Sequence, residues 1–492
     1  MMELGFLQYL ALGFFVLAFV ALFVLIAYQK IKYEFADKTP KTITTKTRKS
    51  DDLRYLTNHL TAGNAGEPLL FYHQNQVYTA SNEKRGLVVG VSGTGKTNFI
   101  LAQIAEWSKS GKSYVVTDIK PEIFGVLVAN GVLQKYGYDA IIINPTDPNS
   151  TKYNLLDDID DNDLTEIVKI LVPAVGDTAG FALTAQKILK GLILHLKSEN
   201  GSVSLSAVYD FVNEHKRTDK LFERIIETND DEASKLIKQA KLAGDNERFI
   251  SSSVNTLLSS LEFLDNKTIH ENMASSDISL KDALKQPKMA VFLQFEQLYQ
   301  SATESLYSAT VTHIIRLLMS NYRERDEVFL LFDELLNGGR LDMLTAKMNT
   351  MRSYKLPTFI YIQSLAGLYE KYGEMAGKNL MSSCDIKICY RVNDNASARE
   401  FSELAGDVLA TVTHENWVDF KRNDGSITKQ KTLSSGGEKY VKLVTETELK
   451  QMPKGKVLMI VDGVSGVVDI PQHWKHLNLT ERSDKVRPID FQ

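Results

Sequence analysis

An α/β fold with a mostly parallel sheet, interrupted by an all-α insertion, is what the sequence predicts, and three observations carry it. From about residue 66 onward, short apolar runs alternate with longer helical patterns, as strands and crossover helices do in parallel sheets. A glycine-rich segment, Gly90 to Gly95, sits between the first clear run and a helical pattern. Between Ile159 and Leu284 the β-branched runs give way to Leu, Lys, Glu and Asp at helical spacing.

The chain begins with residues that read as a membrane anchor, 1–29. Leu4 to Tyr28 carries no charge and exceeds the roughly 20 apolar residues that span a bilayer. Met-Met-Glu precedes it and no small-residue cleavage site follows, which argues against a secretory leader. Lys30, Lys32, Lys38, Lys41, Lys46, Arg48 and Lys49 come next. By the positive-inside rule they place the rest of the chain on the cytoplasmic side of the inner or plasma membrane, with a single pass, and they favour anionic headgroups. Residues 30–65 read as a basic juxtamembrane linker.

The expected strands are Gly86–Val89, Ser113–Thr117, Ala140–Ile143, Met289–Phe295, Val328–Phe332, Thr358–Ile362, Asp385–Tyr390 and Val457–Val461. They divide the body into a first sheet portion, 66–158, the all-α insertion, 159–284, and a second sheet portion, 285–470, followed by a tail, 471–492. Several runs end in polar or acidic residues, where ligands sit in open α/β sheets.

The strongest motif follows the first run. Gly90, Val91, Ser92, Gly93, Thr94, Gly95, Lys96 and Thr97 have the spacing of a phosphate-binding loop, whose glycines let backbone N–H groups curl around a phosphate. Lys96 is expected to reach the β- and γ-phosphates and the Thr97 hydroxyl to ligate Mg²⁺, so the chain is expected to bind ATP. Its counterpart is the run Val328–Phe332 ending in Asp333-Glu334. Asp333 is expected to hold Mg²⁺, largely through water, and Glu334 to deprotonate the attacking water; the adjacent pair marks the hydrolytic branch of such proteins. On the residues alone, Gln363 at the end of the next run is as readily a loop-bonding glutamine as a γ-phosphate sensor. Arg352 reads as a surface arginine at a helix end, the alternative being a finger acting on a neighbouring subunit.

Other features point away from chemistry. Leu433-Ser434-Ser435-Gly436-Gly437-Glu438 lies after Asp333-Glu334 rather than before it, so it is not a transporter signature; with Lys429, Lys431 and Lys439 around it, it reads as a mobile basic loop. Cys384 and Cys389 are the two cysteines, with strand spacing unsuited to a disulfide or shared metal. The His473/His476 pair lacks an acidic or thiol companion. A net charge of -4 over 492 residues neither demands a nucleic-acid partner nor excludes a local basic channel. Lys421 and Arg422, in an expected loop after Phe420, and Lys235, Lys238 and Lys241 are candidate phosphate contacts that read more readily as solvated surface, so no DNA-binding residue is assigned.

In this order, the motifs resemble the coupling proteins of type IV secretion systems, the TraG/TraD family, from about Gly86 to Val461. Val116-Thr117-Asp118-Ile119-Lys120-Pro121-Glu122 is similar to the family's Asp-Pro-Lys-Gly-Glu segment, and Tyr153-Asn154-Leu155-Leu156 to its Phe-Asn-Pro-Leu. Phe181 and Ala185 look like the start of its all-α domain. Asp333-Glu334-Leu335 with Gly338-Gly339, Gln363-Ser364-Leu365-Ala366, Asn393-Asp394 and Pro453-Lys454-Gly455 follow in family order. The resemblance implies a RecA-like motor ATPase, anchored in the membrane and hexameric, that recruits a relaxase–DNA complex and drives it to the secretion channel components. It implies that Gln363 senses the γ-phosphate and that Arg352 is a finger. An ATP-gated receptor without motor activity, or a DNA pump of the FtsK/HerA type, is the alternative. Family members usually carry two transmembrane helices where one is expected here, and the stretch after Trp474 is too short for an acidic recruiting extension.

Overall fold

The computed structural model describes residues 56, 60–62 and 66–470, apart from 74–75, 216–217, 228–230, 244–246, 297–298 and 422–426. The expected anchor at Leu4–Tyr28, most of the linker, the His473/His476 pair and Arg422 lie outside these residues. Among the described residues no helix is long and apolar enough to cross a membrane. The described residues form two compact units, one holding the main sheet with its helices and the other holding a hairpin.

The strands, in chain order, are β1 Thr61–Ala62, β2 Leu69–His73, β3 Gln76–Thr79, β4 Gly86–Val89, β5 Ser113–Thr117, β6 Asp139–Ile143, β7 Met289–Leu293, β8 Val328–Phe332, β9 Thr358–Ile362, β10 Ile386–Cys389, β11 Asp407–Lys421, β12 Ile427–Lys442, β13 Lys456–Val461 and β14 Val464–Asp469. Twelve of them make one sheet in the order β1-β3-β2-β14-β13-β10-β4-β9-β8-β5-β7-β6. From β10 to β6 every pairing is parallel. Helices cover both faces of this part, so β4, β5, β7, β8 and β9 are buried along their whole length, which is why they read as unbroken apolar runs. The core is aromatic: Trp107 stacks on Phe329 with ring centroids 4.3 Å apart, and Gly86 leaves the space that the Phe359 ring fills.

Beyond β10 the sheet turns antiparallel through β13, β14, β2, β3 and β1. These edge strands, apart from β13, fall outside the expected set, and β1 occupies the end of the expected linker. The expected basic loop around Leu433–Glu438 is corrected as well: those residues lie within β12, which pairs with β11 in a two-stranded sheet. Lys421, expected in a loop after Phe420, is instead the last residue of β11.

Between β6 and β7 the described elements are all helical, from Asp161–Leu171 to Leu280–Ala283. Polar N-caps start several of them: Asp160 accepts from the Asp163 N–H at 2.8 Å, Ser204 from Ala207 at 3.1 Å and Asn266 from Thr268 at 2.9 Å, each satisfying a donor the helix cannot. Helix Ala179–Asn200 packs closely on Asp231–Leu242 because a Cβ at Gly191 would meet Ile237 Cδ1 at 2.9 Å. Helix Gln300–Ser320, between β7 and β8, joins this insertion to the sheet: Arg316 bonds to both Asp163 and Glu166 on helix Asp161–Leu171.

Candidate functional site

Register brings the predicted site together. Because the central strands are parallel, their C-terminal ends share one edge, and β4, β9, β8 and β5 lie side by side there. Val89 is paired with Ile362 and Thr117 with Phe332. Gly90 and Gln363 therefore begin at one level, as do Asp118 and Asp333. The backbone stitches the edge: Gly90 N–H donates to Ile362 at 3.1 Å, Val91 to Arg391 at 3.0 Å, and Asp333 to Thr117 at 3.3 Å.

The loop Gly90–Thr97 runs from β4 into helix Lys96–Lys109. Two glycines do conformational work there: Gly93 at φ +76° and Gly95 at φ +112° sit where a side chain is strained. Gly90 has a steric reason instead, because a Cβ would lie 2.4 Å from the Cβ of Tyr390. Thr94 Oγ1 donates to Val91 O at 2.7 Å and closes the turn. The first turn of the helix carries no acid, so its free N–H groups and dipole favour an anion. Lys96 is 6% exposed and its ammonium donates to the carbonyls of Gly90 and Val91. Burial lowers its pKa, against the opposing pull of Glu334 and Asp333. Thr97 is half-buried in the first helical turn.

Asp333 is 8% exposed, and burial, with Glu334 and Asp118 beside it, pushes its pKa up to about 7. Glu334 has a left-handed backbone, φ +48°, and its two carboxylate oxygens are held separately. Oε1 pairs with Lys120 Nζ at 3.3 Å, and Oε2 accepts from Asn337 Nδ2. Gln363 is half-buried at the end of β9. Such a set fits a magnesium-bound nucleoside triphosphate: a glycine cradle that a Cβ would fill, a buried cation inside it, a hydroxyl at Thr97 and a carboxyl at Asp333.

Arg352 is not part of this cluster. It pairs with Glu83, which precedes β4, and it precedes β9; both lie at the opposite ends of those strands from the loop. Side chains that sequence reasoning did not place in the site join it instead. Asp118, fully buried, accepts from the N–H groups of Ile123 at 3.2 Å and Phe124 at 3.0 Å, and from Gln294 Nε2 at 3.2 Å. Burial outweighs these bonds and pushes its pKa up to about 7. Its signal was legible as an acid at a strand end. Lys120 was legible only as part of the segment similar to the family's Asp-Pro-Lys-Gly-Glu, and its pairing with Glu334 was not, because the two lie 214 residues apart.

Residues 27–468 match the model of the family described as Type IV secretory system Conjugative DNA transfer. The VirD4 protein of Agrobacterium fabrum (strain C58 / ATCC 33970) is 25% identical over 311 residues, covering 60% of this chain and 46% of VirD4. VirD4 of Rhizobium radiobacter is 24% identical over 345 residues, covering 67% and 49%. The chain thus spans about half the length of the curated relatives it matches. Among solved structures, the bacterial conjugative coupling protein TrwBdeltaN70, unbound, superposes with a TM-score of 0.63 at 18% identity, covering 90% of this chain and 96% of that one. The plasmid coupling protein TrwB in complex with ADP and Mg²⁺ gives a TM-score of 0.62 at 17% identity, over 88% and 96%. These superpositions show that the fold is shared.

Proposed function

The chain belongs to the type IV secretory system conjugative DNA transfer family, and from that premise we propose that it is a membrane-anchored ATPase that recruits a relaxase–DNA complex and drives it toward the channel. In this reading residues 4–28 span the membrane, the sheet is the engine, the helical insertion 159–284 is a separate functional domain, and the working form is a homo-hexamer. The observation that carries it is the meeting of Lys96, Asp333 and Glu334 at one edge of the parallel sheet.

Each residue has a role its position supports. The backbone of Gly90–Gly95 cradles phosphate, and Lys96 exchanges its carbonyl partners for phosphate oxygens. Thr97 and Asp333 would hold Mg²⁺, which supplies charge neutralisation at the phosphates when bound. Glu334 takes a proton from the attacking water, and its own N-terminal neighbour Asp333 keeps the acidic pair at the cradle. Gln363, level with Gly90, reads the terminal phosphate. Arg352, at the far ends of the strands, acts on the loop of a neighbouring copy; a wild-type assembly doped with Arg352→Ala should then lose more turnover than its mutant fraction.

The deciding measurement is phosphate release by the full chain with single-stranded DNA, double-stranded DNA or neither, beside Glu334→Gln. DNA should stimulate wild-type turnover and leave the variant at background. Nucleotide binding without turnover under any of these conditions would replace the motor by an ATP-gated receptor.

A further inference from the structure

The loop after β5 carries a cation whose place in the site is unusual. Asp118 accepts two backbone N–H groups from the start of helix Glu122–Ala129, and Pro121, at φ -63°, precedes that helix. Those bonds and the proline ring hold the segment Asp118–Pro121 in place, so Lys120 projects from an anchored backbone on a flexible four-carbon stem. Its ammonium lies 3.3 Å from Glu334 Oε1, and its side chain is 42% exposed against 12% for Glu334. Its charge also acts on Lys96 and on Asp333, and its partner Glu334 follows Asp333 directly in the chain. The Glu334 carboxylate has its second oxygen on Asn337, which leaves Lys120 as the group that can link it to an incoming anion.

We propose that Lys120 is a positioning residue for hydrolysis, its ammonium shared between the Glu334 carboxylate and the terminal phosphate of the nucleotide. The proposal rests on the ATPase reading above. Shared in this way, Lys120 sets the distance between the base and the phosphate that water must attack, and it contributes nothing to a nucleotide lacking that phosphate. A charge-assisted hydrogen bond lost at a half-exposed site changes affinity by about ten-fold.

The test compares ADP with a non-hydrolysable ATP analogue, both with Mg²⁺, on the full-length protein by titration calorimetry. Lys120→Met should cut the preference for the triphosphate about ten-fold, leave ADP affinity within two-fold and lower kcat more than it changes KM; Lys120→Arg should restore most of each. Glu334→Gln, which frees Lys120 from its carboxylate, should tighten the analogue in the wild-type background and not beside Lys120→Met. Equal loss for both nucleotides, or a Glu334→Gln effect indifferent to Lys120, would overturn the proposal while leaving the ATPase reading intact. A wild-type protein that bound neither nucleotide would sink the ATPase reading and this one with it.

Discussion

Gly90→Ala tests whether the loop is as tightly fitted as the geometry says. The added Cβ would lie 2.4 Å from Tyr390 Cβ and 3.3 Å from Thr94 Oγ1. Carbon atoms in contact settle at about 3.5–4.0 Å, so one side must move by about 1 Å. Tyr390 is held: its side chain is 1% exposed, its N–H donates to Val89 O at 2.8 Å, and the offending atom is next to its backbone. The loop therefore yields, pulling on the Gly90–Ile362 bond. Overpacking costs about 1–3 kcal/mol, and an immobile partner places this case near ~3 kcal/mol. Gly93→Ala is the control, since no atom lies within 4 Å of its Cβ and only the left-handed backbone resists, at about 1 kcal/mol. Urea unfolding followed by circular dichroism, with titration by magnesium-ADP, separates the two. Gly90→Ala should unfold at lower urea and lose about 100-fold in affinity, as a 1 Å misplacement can. If Gly90→Ala is as stable as Gly93→Ala and binds ADP within three-fold of wild type, the tight contact with Tyr390 is not real.

Three further outcomes are expected. Glu334→Gln should lower turnover by about 10²–10⁴-fold with ADP binding retained, checked by single-turnover phosphate release; near-wild-type turnover would remove Glu334 from the chemistry. Arg316→Ala strands Asp163, whose side chain is 16% exposed, and should cost about 2 kcal/mol, a discounted buried-pair value, visible as a lower thermal midpoint. The acids give a pH dependence of defined sign: Asp118 and Asp333 have folded pKa values raised to about 7, so the folded state holds more protons than the unfolded between about pH 4 and 7. Their contribution to stability therefore falls as pH rises through that window and is flat above it. Asp118→Asn should flatten the fall in thermal midpoint between pH 5.5 and 8; an unchanged slope would show that Asp118 is already ionised in the fold.

How much of this could be read from the chain follows from burial. Parallel strands covered on both faces must be apolar throughout, so β4, β5, β7, β8 and β9 announced themselves within a residue or two, and the polar residue after β5, β8 and β9 marked the edge where ligands belong. The antiparallel strands, apart from β13, did not. Val464-Ser465-Gly466-Val467-Val468-Asp469 is short and interrupted, and Ser434-Ser435-Gly436-Gly437 has turn composition inside β12; pairing with the preceding strand, β13 for the first and β11 for the second, makes each a strand. The loop Gly90–Thr97 and the pair Asp333-Glu334 were legible because each is local. Their partnership with Lys120 was not, since the β5–β8 register alone sets it. Arg352 was legible as a surface arginine at a helix end or a finger for a neighbouring subunit, and the direction of β9 puts it at the strand ends opposite the loop, where it pairs with Glu83.

The charges at the sheet edge oppose their own ionisation, and this bears on what the site is for. Lys96 is lowered, Asp118 and Asp333 are raised, and burial is the largest cause in all three. A fold selected for stability alone has no reason to bury two acids and a lysine at neighbouring strand ends, because each desolvated group costs more than its partners return. The Lys96 ammonium rests on carbonyls rather than in contact with either acid. Lys96 and Asp333 act on one another electrostatically without a hydrogen bond between them, an arrangement that a ligand carrying both signs of charge completes. A magnesium-bound polyphosphate offers anionic oxygens to Lys96 and a cation to Asp333 together, relieving both penalties in one event. Burial of these charges at one strand edge is what the nucleotide reading proposed above accounts for.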